Sequence, residues 1–219
     1  MSDKIIRIAI DGPSGAGKSS IAKAVAQKIG IEYIDTGAMY RAFAYKMIKQ
    51  SVDAQDRDAV KALLLDTEID FKNGNTMLDG EDISDRIRTP EISKMASVCS
   101  AYPEVRTKLV ELQQAMGRRK SVIMDGRDIC EKVLPEAEYK FFLTASAEER
   151  ANRRYKELLE KGDNISYAEV LEDMKKRDFA DSTRAESPLR KAADAEEIDS
   201  SDMTKEEVID TILRKIGEL

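Results

Sequence analysis

Short apolar runs alternate with longer amphipathic segments along this chain, the pattern typical of a parallel sheet covered by helices on both faces. Helical patterns follow the first two apolar runs, and an amphipathic helix over 204–216 closes the chain with Thr204 as its N-cap. The predicted strands are 5–10, 31–35, 121–125, 139–145 and, with a weaker signal, 195–199. The pattern therefore predicts an α/β fold with a five-stranded parallel sheet.

Two segments interrupt this alternation. Residues 68–84 carry Asn-Gly and Asp-Gly between short strand-like pieces, which predicts a small antiparallel β insertion. Residues 146–189 are highly charged, and a Gly-Asp-Asn break at 162–164 divides them into two predicted helices. A solvated helical hairpin is the ordinary interpretation of so charged a segment.

Composition narrows the class of protein. With 219 residues the chain is long enough for one sizeable core. Its 36 Lys and Arg against 42 Asp and Glu give a net charge of −6, which argues against sequence-independent binding of nucleic acid. No apolar run approaches the ~20 residues that span a membrane. The start of the chain lacks the pattern of a signal peptide, so we expect a cytoplasmic protein with no membrane partner.

The chain contains no histidine, and this excludes Ser-His-Asp hydrolysis, zinc sites built on histidine and histidine general bases. Its two cysteines, Cys99 and Cys130, have neither a disulfide framework nor metal-ligand spacing, and we expect both to be reduced and partly buried. Catalysis would therefore depend on carboxylates, lysine, arginine, backbone amides and a metal ion.

The segment DGPSGAGKSS, residues 11–20, lies between the first predicted strand and a helical pattern. A strand that turns through glycines into a helix leaves backbone N–H groups that, with the positive end of the helix dipole, bind a polyphosphate. Lys18 can reach the outer phosphates, and the Ser19 hydroxyl is placed to ligate Mg²⁺. The residues expected around the phosphates of ATP are Gly12, Pro13, Ser14, Gly15, Ala16, Gly17, Lys18, Ser19 and Ser20.

GTPases, ATPase motors and kinases all use such a loop, so other residues must decide between them. The guanine-reading pattern NKxD is absent. The strand at 121–125 is followed by Gly126, Arg127 and Asp128. An arginine at the carboxyl end of a central strand suits a second phosphorylated ligand, because a guanidinium binds phosphate through two hydrogen bonds. For Arg127 taken alone, a structural ion pair is the simpler alternative.

The segment DTGAMYR repeats the anion-binding arrangement on the neighbouring strand. Thr36 and Gly37 begin a predicted helix there, and Tyr40 and Arg41 follow one turn later.

The segment RDFADSTR adds charged groups to the predicted helical hairpin. Helical spacing would place Arg177, Asp181 and Arg184 near one face. Mobile arginines that close over a transferring phosphoryl group are a recurring solution, because this chemistry depends on positioning and charge stabilisation. Together the segments favour phosphoryl transfer to another phosphate.

The segments DGPSGAGKSS, DTGAMYR, DGRD and RDFADSTRAESPL, followed by AADA, together resemble cytidylate kinases of the bacterial type, nearly from end to end. The resemblance implies one three-layer P-loop kinase domain over 1–219. In it, residues 67–88 extend the monophosphate-binding region and residues 147–189 form a helical lid. It also implies transfer of the γ-phosphoryl group of ATP to CMP or dCMP with Mg²⁺, within pyrimidine nucleotide metabolism.

The same resemblance implies individual roles. Lys18, Arg127, Arg177 and Arg184 would be catalytic. Ser19 would ligate Mg²⁺, with Asp125 and Asp35 acting through water. Arg41 and Arg127 would bind the acceptor phosphate, Ser97, Arg106 and Asp128 the cytosine ring, and the lid residues the pentose and the moving phosphoryl group. The residues implied to bind CMP are Thr36, Gly37, Tyr40, Arg41, Ser97, Arg106, Gly126, Arg127, Asp128, Arg177, Asp181 and Arg184.

Three features depart from the family pattern. Thr36 replaces a frequent serine and keeps the hydroxyl. Residues 129–131 are Ile-Cys-Glu where many relatives have a glycine and a small hydroxylic residue, which bears on the backbone geometry of this turn. Ala180 and Ser182 leave fewer arginines in the lid, so more of the charge stabilisation would depend on the two that remain.

Two alternatives stay open. One is a different small-molecule kinase acting on UMP, AMP or shikimate. The other is a regulatory protein that binds a nucleotide without catalysis, against which the intact Lys18, Arg41 and Arg127 argue. We expect a monomer.

Overall fold

The structure, a computed structural model, describes residues 5–72, 74–160 and 162–217. The chain divides into two compact units. The first unit is Met1–Tyr33 with Ser121–Leu219, and the second unit is Ile34–Lys120. The assignment of 1–219 to a single domain stays a prediction.

Eight strands and eight longer helices occur within the described residues. In chain order the strands are β1 (Arg7–Asp11), β2 (Glu32–Asp35), β3 (Ile69–Lys72), β4 (Asn75–Leu78), β5 (Glu81–Asp82), β6 (Val122–Gly126), β7 (Tyr139–Thr144) and β8 (Glu196–Asp199). The helices are α1 (Lys18–Ile29), α2 (Thr36–Lys49), α3 (Arg57–Leu65), α4 (Pro90–Cys99), α5 (Pro103–Arg119), α6 (Ala147–Glu160), α7 (Tyr167–Thr183) and α8 (Lys205–Ile216). A short π-helical turn, Ile129–Val133, follows β6.

The main sheet has five parallel strands in the order β2-β6-β1-β7-β8, which confirms the predicted fold class. Its core joins strand residues such as Ile8, Ile10 and Phe141 to residues of α1 and α8 such as Val25 and Ile212. All five side chains are nearly inaccessible, because α1 and α8 pack against the face of the sheet that carries these strand residues. The carboxyl ends of β1 and β6 lie side by side, where the loops of an α/β sheet bind their ligands.

The second unit contains the predicted antiparallel insertion. Strands β3, β4 and β5 form a three-stranded sheet, in which Phe71 is opposite Thr76 and Leu78 is opposite Glu81. The Asn-Gly turn predicted between the first two of these strands includes Asn73, which lies outside the described residues. Helix α2 packs against α4 in the same unit.

Local signals set the boundaries of the last helix. Thr204 caps α8 as predicted: its hydroxyl accepts from the Glu207 amide, and the Glu207 side chain reaches back to the Thr204 amide. Gly217 ends the helix in a left-handed conformation. The first strand is displaced from its predicted range: it runs over Arg7–Asp11, because pairing with β6 starts only at Arg7.

Both cysteines are reduced, as expected, but they are fully buried where only partial burial was predicted. Burial raises the pKa of the Cys99 thiol to about 12. Among the described residues no helix has the length and apolar character that crossing a membrane requires.

Candidate functional site

The loop between β1 and α1 has the backbone geometry of an anion nest. Gly12, Gly15 and Gly17 have φ angles of 151°, 76° and 85°, which side chains rarely allow. A Cβ atom on Gly12 would lie 2.0 Å from the carbonyl oxygen of Leu143, so no larger residue fits there. The glycines therefore let the loop turn tightly against β7.

The first turn of α1 presents its amides without competition from side chains. The helix begins at Lys18. Its N-cap residue is Gly17, which has no side chain to accept from the first amides of the helix. The first turn of α1 also contains no acidic residue. Unsatisfied N–H groups and the positive end of the helix dipole together attract anions.

Lys18 lies beneath the loop and is only 6% exposed. Its Nζ donates to the carbonyl oxygen of Pro13 at 2.7 Å. Burial lowers the pKa of Lys18 to about 7, and the nearby charge of Arg127 lowers it as well, while Asp125 and Asp11 oppose the shift. Negative charge bound in the loop would raise the pKa of Lys18 again, and the cation so formed interacts strongly with that charge in so dry a position.

Ser19 on α1 and Asp125 on β6 bring their side-chain oxygens together. The Ser19 hydroxyl donates to Asp125 Oδ2 at 2.9 Å, and Tyr33 donates to Oδ1 at 2.8 Å. Hydroxyl and carboxylate oxygens are the ligands that Mg²⁺ prefers. No cluster of three or more potential metal-ligating side chains occurs in the described part of the chain. The metal role predicted for Ser19 and Asp125 stays a prediction, and their oxygens are chemically suited to it.

The residues after β6 and on α7 meet around one carboxylate. Arg127 Nε donates to Asp181 Oδ2 at 2.7 Å, and Arg184 Nη1 lies 3.9 Å from Asp181 Oδ1. Helix α7 ends at Thr183, so Arg184 reaches Asp181 from just beyond the helix. Burial by itself raises the pKa of Asp181, but Arg127, Arg177 and Arg184 hold it below its ordinary value. An ion pair was the simpler alternative for Arg127 taken alone, and the structure contains one, with Asp181.

Asp128 and Arg177 differ in exposure. Asp128 is buried, with 8% of its surface accessible, at the start of the short helical turn. Arg177 is exposed on α7, and its charge still acts on both Asp181 and Lys18. Lys18, Arg127 and Arg177 come from three separate segments of the sequence. In the structure they belong to one electrostatic cluster in the first unit.

Arg150 is a residue that the sequence analysis missed. It is 5% exposed at the start of α6, and its Nη1 donates to the Ser14 carbonyl oxygen of the phosphate loop at 2.9 Å. The same atom lies 2.7 Å from Asp178 on α7. Arg150 therefore links the phosphate loop to α6 and α7. Its one sequence signal was its place in a charged stretch rich in other arginines.

In the second unit, Asp35 organises the start of α2. Its Oδ1 accepts from the Ala38 amide at 2.9 Å, and its Oδ2 accepts from Arg41 at 2.8 Å and from Arg88 at 3.5 Å. A Cβ atom on Gly37 would lie 3.1 Å from Arg41 and 3.2 Å from Asp35, so the glycine leaves room for this ion pair. The proposed metal role of Asp35 stays a prediction.

Tyr40 and Arg106 also meet within the second unit. The Arg106 guanidinium lies 5.7 Å from the centre of the Tyr40 ring, and it donates to the Ser100 carbonyl oxygen at 3.2 Å. Arg106 is buried on α5, whereas Ser97 is exposed on α4. A buried guanidinium close to an aromatic ring is a suitable element for recognising a planar base.

The chain is similar in sequence to one family of known proteins along nearly its whole length. The sequence model of a family described as cytidylate kinase matches residues 8–218. A protein named cytidylate kinase from Clostridioides difficile is 52% identical over 210 residues, which cover 96% of this chain and 97% of that protein. Another protein of that name, from Caldanaerobacter subterraneus subsp. tengcongensis, is 49% identical over 211 residues, covering 96% and 94% of the two chains.

Solved structures share the fold at low sequence identity. An uncharacterized protein from Eubacterium ventriosum matches with a TM-score of 0.55 and 16% identity over 99% of this chain and 100% of its own. A gluconokinase from Sinorhizobium meliloti matches with a TM-score of 0.50 and 14% identity over 97% and 91%.

Proposed function

This chain belongs to the cytidylate kinase family, and on that premise we propose that it transfers the γ-phosphoryl group of ATP to CMP or dCMP. The products are ADP and CDP or dCDP. The observation that carries the proposal is the similarity to proteins named cytidylate kinase along nearly the whole chain, at 52% and 49% identity. The phosphate loop, Lys18 and the arginines around Asp181 in the first unit support the proposal.

On the donor side, the amides of the glycine loop and of α1 bind the ATP phosphates, and Lys18 contributes its charge to the transferring group. Ser19 and Asp125 would hold Mg²⁺, directly and through water. When bound, Mg²⁺ neutralises charge on the β- and γ-phosphates. The buried position of Lys18 makes its interaction with a phosphate stronger than a surface lysine could provide.

On the acceptor side, we assign Arg127 to the CMP phosphate and Arg177 and Arg184 to the moving phosphoryl group. An oxygen of the CMP phosphate attacks the γ-phosphorus, and the bond from that phosphorus to the β,γ-bridging oxygen breaks, which leaves ADP. Arginines next to the equatorial oxygens stabilise the charge that spreads over them. Asp181, which pairs with Arg127 at 2.7 Å, is assigned to the pentose.

The second unit supplies the remaining proposed contacts. Arg41 is assigned to the acceptor phosphate, with Thr36 and Tyr40 beside it, and Arg106 and Ser97 are assigned to the cytosine ring. Arg41 and Arg106 are already held by their neighbours, at Asp35 and at Ser100, so their guanidinium groups are oriented before CMP arrives.

A substrate panel tests the function. ADP release is measured with ATP and each of CMP, dCMP, UMP, AMP, GMP and shikimate. We expect the highest kcat/KM with CMP or dCMP. A higher value with any other acceptor would overturn the assignment, and no ADP release with any acceptor would favour a nucleotide-binding protein without catalysis. The cytoplasmic location and the monomeric state stay predictions.

The choice of base should depend on Asp128. A carboxylate accepts from the 4-amino group of cytosine but opposes the 4-carbonyl of uracil, whereas an amide can donate to that carbonyl. We expect Asp128→Asn to lower kcat/KM for CMP and to shrink the preference for CMP over UMP at least tenfold, or ~1.4 kcal/mol. The same substitution at Asp210, exposed on α8, is the control. Equal losses for the two substrates would mean that Asp128 orients the site without reading the ring.

The lid helices should close when both substrates bind. Helices α6 and α7 share a small core of their own, in which only Ala151, Val170 and Met174 are buried. So little buried apolar area gives a low local stability. We expect hydrogen exchange over 147–189 to slow markedly with CMP plus a non-hydrolysable ATP analogue, and less with either alone. Equal protection without nucleotides would identify a fixed helical hairpin.

A further inference from the structure

Asp11 is the last residue of β1 and directly precedes the phosphate loop. Its side chain is 1% exposed, and its two oxygens accept from backbone amides of a different loop. Oδ1 accepts from the amide of Ile129 and Oδ2 from the amide of Cys130, both at 2.9 Å. A buried carboxylate that receives two backbone amides fixes the position of the segment that carries them.

The two amides open the short π-helical turn that follows Asp128. The first amides of such a turn have no partners within it, and a side chain of the preceding residue would usually accept from them. Here the Asp128 side chain makes no such bond. Asp11 takes that place from the neighbouring strand.

The dipeptide Arg127–Asp128 is thereby held at both ends. On its N-terminal side, Gly126 is paired in register with Asp11 in the parallel sheet. On its C-terminal side, Ile129 and Cys130 are bonded to the Asp11 carboxylate and are each 1% exposed. The Cys130 sulfur also lies 3.8 Å from the carbonyl oxygens of Ala9 and Phe141 on β1 and β7.

We propose that Asp11 is a positioning residue for the acceptor nucleotide: it fixes the turn that carries Arg127 and Asp128 to the strand that ends in the phosphate loop. This inference rests on the proposed function, which assigns Arg127 and Asp128 to the acceptor nucleotide. It also explains how residues 129–131 can depart from the family pattern, because bonds to backbone amides do not depend on the side chains of that turn.

The ionisation of Asp11 is consistent with this role. Burial raises the pKa of Asp11 to about 6, and the hydrogen bonds from Cys130 and Ile129 oppose the rise. In an assay at pH 8 the carboxylate is therefore ionised and able to accept from both amides.

The test substitutes Asp11→Asn, which keeps the shape of the side chain but turns one acceptor into a donor that faces a backbone N–H. We expect KM for the acceptor nucleotide to rise about tenfold, and its Kd by calorimetry without ATP to rise equally. KM for ATP should change less than twofold. Readouts are taken on whichever monophosphate the wild type phosphorylates in the panel, so a different acceptor overturns the proposed function and leaves this test intact.

Two controls separate positioning from general weakening of the fold. Thr204→Val removes an acceptor from a backbone amide at the cap of α8, and Ile212→Val loosens the core of the same unit. Neither substitution should raise the KM for the acceptor nucleotide relative to the KM for ATP. Equal increases in both KM values for Asp11→Asn, or no increase in either, would overturn the proposal. If Asp11→Asn and Asp11→Glu both unfold below the assay temperature, Asp11 is a general structural support and the proposal also fails.

Discussion

Replacement of Lys18 by alanine is expected to lower kcat by about 100-fold or more while the protein stays folded. Lys18 is buried, and its Nζ already lies within the phosphate loop, 2.7 Å from the Pro13 carbonyl oxygen. A charge fixed in a site with little water stabilises the developing charge of the transferring group and needs no reorganisation during the reaction. Steady-state kinetics with ATP and CMP, together with a thermal melting curve, measure the effect.

Lys23 offers a matched control for this substitution. It lies on the same helix, α1, but is exposed to solvent, so Lys23→Ala makes the same chemical change away from the loop. We expect its kcat to remain within twofold of the wild type. Near-normal turnover of Lys18→Ala with an unchanged melting temperature would remove Lys18 from the mechanism.

Replacement of Arg127 by alanine is expected to lower kcat/KM for CMP by about 100-fold or more, because it removes the group assigned to the acceptor phosphate. It also leaves the Asp181 carboxylate without its 2.7 Å partner, so the carboxylate would repel the incoming phosphate. KM for ATP should change little. Arg127→Lys keeps the charge but loses the two-pronged geometry, and we expect it to recover only part of the activity.

Arg190 is the control for the loss of an arginine ion pair. It pairs with Glu131 at 3.0 Å in the same unit, but 65% of its side chain is exposed. An exposed pair contributes little, so Arg190→Ala should leave both KM values unchanged. If Arg127→Ala retained kcat/KM for CMP within threefold of the wild type, the Arg127–Asp181 pair would be structural only.

Several features of the protein could be predicted from short stretches of sequence. The apolar runs located the five strands of the parallel sheet, and the charged segment with its glycine break located α6 and α7. Thr204 marked the start of α8, because a helix cap involves residues only about three positions apart. The glycines of the phosphate loop are equally local, since each reports a backbone angle at its own position.

Part of the candidate site could also be predicted. Lys18 and Ser19 are placed by the loop and helix they belong to, and the spacing of Arg177, Asp181 and Arg184 indicated that they cluster. The structure adds that Arg127 joins this cluster through Asp181, over a separation of 54 residues. No periodicity in the sequence connects two residues so far apart.

Local sequence therefore determined which segments form strands, helices and the phosphate loop. The spacing of apolar residues, the helix caps and the backbone angles of glycines each involve only a few neighbouring residues. The tertiary structure alone decided the partners of the buried charges. Arg150 reaches Ser14 across 136 positions, and Asp11 reaches Ile129 across 118. Each depends on which strands and helices become neighbours, and that order is set by packing of the whole sheet. A buried charge must then bond to whatever polar group the packing brings near, since burial without a partner costs more than most single contacts contribute.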